Sequence, residues 1–114
     1  MKNLLLALVL ILSIVTIAQA RDTCISSGIL VADTIVTAGY GELCGLDVTA
    51  DNTNASECKV YDNATGASGT VLAHVIVDAT LRYESRDFTT PIRFKKGLYL
   101  DWTTNSSCIV YYRK

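Results

Sequence analysis

Proline and histidine each occur once in these 114 residues, and methionine only at the start. There is no block of like charges and no low-complexity tract, which excludes a disordered chain. No two cysteines are closer than 13 intervening residues. Thiolate metal sites draw ligands from at least one short Cys-x₂₋₄-Cys loop, so the spacing speaks against a metal centre, and His74 lies near no cysteine in sequence. A net charge of −1 gives no global reason to bind nucleic acid. The longest apolar run, Leu4 to Ala18, falls short of the ~20 residues that cross ~30 Å of hydrocarbon.

That run instead reads as a leader. Met1-Lys2-Asn3 is a short, weakly positive start, the run carries no charge, and Ala18-Gln19-Ala20 supplies the small-x-small pattern of a cleavage site. We expect a signal peptide over residues 1–20 and one domain over residues 21–114. The 94 residues from Arg21 onward suffice for a single core and not for two. Cys24 is the fourth residue after the expected cut, too late for a lipid-modified N-terminus. The mature chain is therefore expected to be secreted or extracellular, with no membrane association once the leader is gone.

All four cysteines, Cys24, Cys44, Cys58 and Cys108, lie beyond the leader. An even count in a small exported domain reads as two disulfides. Three connectivities are possible, and the sequence does not choose among them.

The rest of the chain reads as short β-runs between turn residues. Gly28 to Thr37, Leu43 to Ala50 and Cys58 to Tyr61 are the first three. Thr70 to Tyr83 forms a long β-prone segment, and Pro91 to Phe94, Leu98 to Thr103 and Cys108 to Tyr112 complete the set. Seven or eight strands at this spacing, with no sustained 3.6-residue period, predict an all-β fold. The architecture expected is a single antiparallel, jelly-roll-like β-sandwich stapled by its disulfides. Alternation assigns the faces. Val71, Ala73, Val75 and Val77 should be core, with Leu72, His74 and Ile76 opposite. Ile92 and Phe94 should point inward, and Leu98, Leu100 and Trp102 should share one face.

Little here suggests catalysis. Any Ser-His-Asp arrangement must use His74, and its same-face neighbour Asp78 is ~13 Å away along a strand. The carboxylates are scattered singly, and Gly66 and Gly69 flank a turn rather than a phosphate loop. No catalytic residue, metal or cofactor is expected. Asn54, Asn63 and Asn105 each begin an Asn-x-Ser/Thr pattern, and in a eukaryotic secretory pathway each is a possible N-glycosylation site. In another setting they are turn formers.

The near-neutral charge hides an asymmetry. Residues 21–80 carry a balance of −6, and residues 81–114 a balance of +4. Either the halves interleave and neutralise each other, or they form complementary patches that dock copies of the protein together. Arg93, Lys95 and Lys96 are the candidate assembly patch, since inward-pointing Ile92 and Phe94 force their charged neighbours out.

The segment from Val60-Tyr61-Asp62-Asn63 through Ser68-Gly69-Thr70 to Leu72 resembles an element of small structural proteins of tailed bacteriophages. Pro91-Ile92-Arg93-Phe94-Lys95-Lys96-Gly97-Leu98-Tyr99-Leu100 resembles a second, and Ile109-Val110-Tyr111-Tyr112 a closing run. Together they cover roughly residues 43–112. The resemblance implies a compact β-sandwich that serves as a virion component in repeated copies, and it implies no catalytic residues. The expected function is thus a non-enzymatic structural subunit, secreted or virion-associated. Its partners would be copies of itself, in an oligomer or filament, or a virion surface. The alternative is a secreted module binding carbohydrate or a cell-surface partner through Tyr40, Tyr61, Tyr83, Tyr99, Tyr111, Tyr112 and Trp102. A short echo, Cys58-x-Val60-Tyr61 and Cys108-x-Val110-Tyr111, suggests two similar strands placed symmetrically.

Overall fold

The computed structural model describes residues 23–51, 53–102 and 106–114. The expected leader, the expected start at Arg21 and the candidate glycosylation site Asn105 lie outside them. Runs rich in Val, Ile, Thr and Tyr suit a pleated, half-buried surface, and here they form eight strands. These are β1 (Ile25–Ser26), β2 (Thr34–Ala38), β3 (Gly41–Ala50) and β4 (Ser56–Asp62), followed by β5 (Thr70–Val77), β6 (Tyr83–Phe94), β7 (Gly97–Trp102) and β8 (Ser106–Arg113).

The strands pair antiparallel as β1 with β8, β2 with β7, β3 with β6 and β4 with β5. Those are the pairings of one long hairpin. Rolling the hairpin on itself adds β3 beside β8 and β4 beside β7. The result is two four-stranded sheets, a first in the order β1-β8-β3-β6 and a second in the order β2-β7-β4-β5. This strand order is that of the jelly roll, an architecture found in viral capsid and lectin domains.

The inner faces meet in one core of Leu43, Leu46, Val48, Val60, Val75, Val77, Phe94, Leu98, Leu100 and Val110, all nearly inaccessible to solvent. Ala73, Val75 and Val77 point inward as expected, and so do Phe94, Leu98 and Leu100. Ile92 and Trp102 pack against the core from its margin. Cys58 on β4 and Cys108 on β8 form a disulfide across the two sheets, entirely within this core, and Cys24 is bonded to Cys44 on β3. The two bonds close loops of 50 and 20 residues. In the chain-entropy view they stabilise by about 4 and about 3 kcal/mol respectively.

Several expectations need correction. Val71 is 46% exposed. On β5 Ala73 pairs with Val60 but Val71 pairs with Tyr61, so Leu72 is an extra residue. Such a bulge inverts the facing of everything beyond it; Leu72 packs toward the core and Val71 turns out. The segment from Gly28 to Thr37 is not one strand, because only an isolated bridge from Leu30 to Cys108 precedes β2. The segment from Thr70 to Tyr83 breaks at Asp78, whose carbonyl accepts the N–H groups of Leu81 and Arg82. The next strand begins at Tyr83 rather than at Pro91, and its polar first half is held by register with β3. Between Leu43 and Gly45 the β6 side inserts Phe88 to Pro91 opposite Cys44 alone. Pro91 fits there because an edge strand at a bulge does not need its missing N–H. Glu84 and Arg86 lie opposite inward-facing Val48 and Leu46 and form an ion pair at 2.6 Å. Charges on the inner side of an exposed edge discourage uncontrolled pairing.

Candidate functional site

The fold leaves two outer faces, one on each sheet. On the second sheet, Ile35 of β2 stands opposite Tyr99 of β7, Tyr99 opposite Tyr61 of β4, and Tyr61 opposite Val71 of β5. The β5 bulge brings Val71 into this row. The four side chains thus form an unbroken apolar and aromatic line across every strand of the sheet. With neighbouring strands ~4.8 Å apart, the line is about 14 Å long. Its ends, Ile35 and Val71, are half exposed, and its two tyrosines are partly buried.

A charged row flanks it. Asp101 of β7, Lys59 of β4 and His74 of β5 stand in register. Glu57 joins them, 2.6 Å from His74 Nε2 and 3.2 Å from Lys59 Nζ. Hydrogen bonds from Lys59, and then from His74, hold the Glu57 carboxyl below its ordinary value, and Glu57 in turn raises Lys59. His74 is exposed, as the alternation implied, but its carboxylate partner is Glu57 on the next strand and not Asp78.

The first sheet handles its outer residues differently. Asp47 of β3 accepts the hydroxyl of Tyr111 from β8 at 2.8 Å and that of Ser85 from β6 at 2.6 Å. The hydrogen bond to Asp47 pushes the Tyr111 phenol above its usual range, and desolvation adds to the effect. At one end of the same face Glu42 stands between Arg93 and Arg113, in register with both. Glu42 Oε2 accepts Nε and Nη2 of Arg113 at 3.1 and 2.7 Å. A basic group of the C-terminal third is therefore neutralised by an acid of the N-terminal half, as interleaving predicts.

The three residues of the candidate assembly patch are all exposed, but they do not all line one cleft. Arg93 and Lys95 line a cleft with Lys114 and Tyr40, whereas Lys96 lies outside its lining. The turn carrying Lys95 and Lys96 is fixed by Asp62. Its carboxylate accepts the backbone N–H groups of Lys95 at 3.1 Å, Lys96 at 2.8 Å and Gly97 at 3.4 Å. Burial alone would raise the Asp62 carboxyl, but these N–H donors and the Lys96 charge outweigh it and hold it below the ordinary carboxylate value.

The aromatic set expected to be available for binding is divided. Tyr40 and Tyr83 stand exposed, and Tyr61 and Tyr99 form the middle of the outer row. Trp102 and Tyr112 pack against the core, and Trp102 Nε1 donates to the Ser106 carbonyl at 3.0 Å. Among the asparagines, Asn63 organises its turn. Its Nδ2 donates to the carbonyl and hydroxyl of Ser68, and its Oδ1 accepts from Thr65 and Gly66. Asn54 is exposed and sits in a turn whose N–H groups are held by Asp51. The residue completing its pattern, Ser56, is buried.

The geometry defines a disulfide-stapled jelly roll with one face bearing an apolar line and the other a basic-rimmed cleft. Comparison with protein families, with curated proteins and with solved structures gives no match to this chain.

Proposed function

We propose that this protein is a non-catalytic structural subunit, secreted or virion-associated, that assembles with copies of itself or decorates a larger particle. The observation that carries the reading is the row Ile35, Tyr99, Tyr61 and Val71, which crosses the whole outer face of the second sheet. A contiguous apolar line across an exposed sheet face is the kind of feature that marks a contact between proteins, and tyrosines are favoured at such contacts. The jelly-roll order supports it as an architecture used in capsids. The extracellular setting is supported by two disulfides, which persist where the surroundings are oxidising.

Sedimentation of the purified mature protein across a concentration series tests this. A discrete oligomer or filament is expected, and Tyr61→Ser with Tyr99→Ser should shift it to monomer. Because the contact is apolar, its size should survive high salt. Docking through Arg93, Lys95 and Lys96 would instead weaken, since exposed charges are screened over ~8 Å at physiological ionic strength. A second reading, carbohydrate binding, is favoured by the same two tyrosines lying beside the hydrogen-bonding row of Asp101, Lys59 and His74. A wild-type monomer retained on a glycan array would select it over assembly.

A further inference from the structure

A cleft of about 370 Å³ opens where β3 begins and β6 and β8 end. Its rim carries four cationic side chains, Arg93 from β6, Lys95 from the turn that follows it, Arg113 from the end of β8 and Lys114 just beyond, with Tyr40 and a single carboxylate, Glu42. Phe94 contributes an apolar wall. Gly41 keeps the cleft's inner edge tight, because a Cβ there would collide with the Phe94 ring and the Arg113 carbonyl.

The distribution of charge within this group is uneven. Arg113 gives two donors to Glu42 and a third, Nη1, to Thr23 Oγ1 at 3.0 Å. Lys114 Nζ is anchored on the Ala38 carbonyl, which keeps its charge at the rim. Arg93 stands in register with Glu42, yet the Glu42 carboxylate is engaged by Arg113. Among the described residues neither Arg93 nor Lys95 forms an ion pair. A neighbouring acid, Asp62, is committed to the backbone N–H groups of the turn at Lys95, Lys96 and Gly97. Two uncompensated cations therefore face one concave space, backed by a third and walled by a fourth.

We propose that this cleft is a binding site for a phosphate- or sulfate-type oxyanion. The planar guanidinium of Arg93 presents a fork that matches two oxygens of such a group, and Lys95 and Lys114 supply point charges from the sides. The apolar Phe94 wall lowers the local dielectric and strengthens these interactions. The volume lies at the lower end of the range for small-molecule pockets, so it accommodates the oxyanion with part of whatever carries it. The cleft is on the first sheet and the apolar row is on the second, so the two proposals stand or fall separately.

Calorimetric titration of the mature protein tests the assignment, with inorganic phosphate, inorganic sulfate, heparin-derived oligosaccharide and its desulfated form as probes. Ionic strength is held constant with sodium chloride. Saturable binding of at least one oxyanion probe is expected. Arg93→Gln with Lys95→Gln should weaken it at least tenfold, while Lys96→Gln, an equally exposed charge outside the cleft, should change it less than twofold. A thermal melt of each variant checks that the fold is retained, and each single substitution gives an independent reading. Binding of the inorganic ions marks a free oxyanion as ligand, and binding confined to the sulfated oligosaccharide marks an ester group on a larger molecule. Absence of saturable binding to every probe would overturn the proposal. So would equal weakening by Lys96→Gln, which would mean general surface charge rather than a site.

Discussion

Strands β4 and β8 carry the same short pattern and arrive at opposite surface chemistry. In each, a cysteine and a valine face the core: Cys58 and Val60 on one, Cys108 and Val110 on the other, with the two cysteines joined through the middle. In each, the following tyrosine points outward. Tyr111 meets Asp47 and becomes part of a closed hydrogen-bonded group with Ser85. Tyr61 meets Tyr99 on one side and Val71 on the other. In these two strands alternation sets which residues face in or out, and the cross-strand neighbours set what the outward ones do there.

The largest effects come from the inward half of the pattern that the two strands share. Val75, beside Cys58 in the β4–β5 register, is 1% exposed. Val75→Asp should abolish folding, because an unpaired buried carboxylate costs many kcal/mol, whereas His74→Ala should be tolerated. Circular dichroism of the two variants checks this, and equal damage would mean the assigned faces are wrong. Next comes the bond that ties the two strands together. Cys58→Ala with Cys108→Ala should lower stability by about 4 kcal/mol, read from urea unfolding, and the more exposed Cys24–Cys44 bond should cost less when removed.

The outward half separates the two tyrosines. Tyr111→Phe removes a hydrogen bond to a charged acceptor and should cost about 1–2 kcal/mol. Tyr61→Phe leaves the apolar row intact and should change unfolding by less than about 0.5 kcal/mol. Similar losses at both positions would remove the distinction between the faces.

Asp62 gives a smaller, pH-dependent effect. Its carboxyl is held below the ordinary value, so its contribution is complete above that value and is lost as pH falls through the depressed one. Asp62→Asn should therefore cost about 1 kcal/mol at neutral pH, allowing for its largely solvated position. The difference between variant and wild type should shrink as pH falls through the depressed value and vanish once the carboxyl is protonated. Urea midpoints at several pH values measure it, and a penalty that persists in acid would mean the turn does not depend on the Asp62 charge. Smallest of all is Ser56→Ala. The Ser56 hydroxyl is buried with no hydrogen-bond partner among the described residues, so its removal should leave stability unchanged or raise it by up to about 1 kcal/mol.

Much of the fold was legible because alternation is a local signal. The inward positions of Ala73, Val75, Val77, Phe94, Leu98 and Leu100 follow from period two alone. The failures fall where a residue is inserted. Val71 turned outward because Leu72 is an extra residue in its strand, and nothing in the sequence of β5 marks that bulge. The polar half of β6, Tyr83 to Asp87, is a strand because β3 supplies its partner, not because its residues favour one. The disulfide pairing depended on which strands meet across the core. Arg93 and Lys95 were recognisable as exposed, but Glu42, Arg113 and Lys114 were not recognisable as their neighbours. Glu42 lies 71 residues from Arg113 in the chain, Arg93 falls between them, and only the register assembles the group.

The rolled-hairpin pairing has a consequence for how the molecule is made. Every strand of the N-terminal half waits for a partner from the C-terminal half, and β1 waits for β8 itself. Only the β4–β5 hairpin can form from neighbours in the chain. Folds dominated by such sequence-distant contacts are slow, typically milliseconds to seconds. A chain emerging N-terminus first carries β1, β2 and β3 with unpaired edges until its last strands appear. Cys58 likewise stays a free thiol until Cys108 follows it by 50 residues. During that interval Cys24 and Cys44 are the nearest available partners for Cys58, so oxidation that runs ahead of strand pairing would trap wrong bonds. Correct folding of this domain therefore favours a late oxidant, one that acts after β8 has docked.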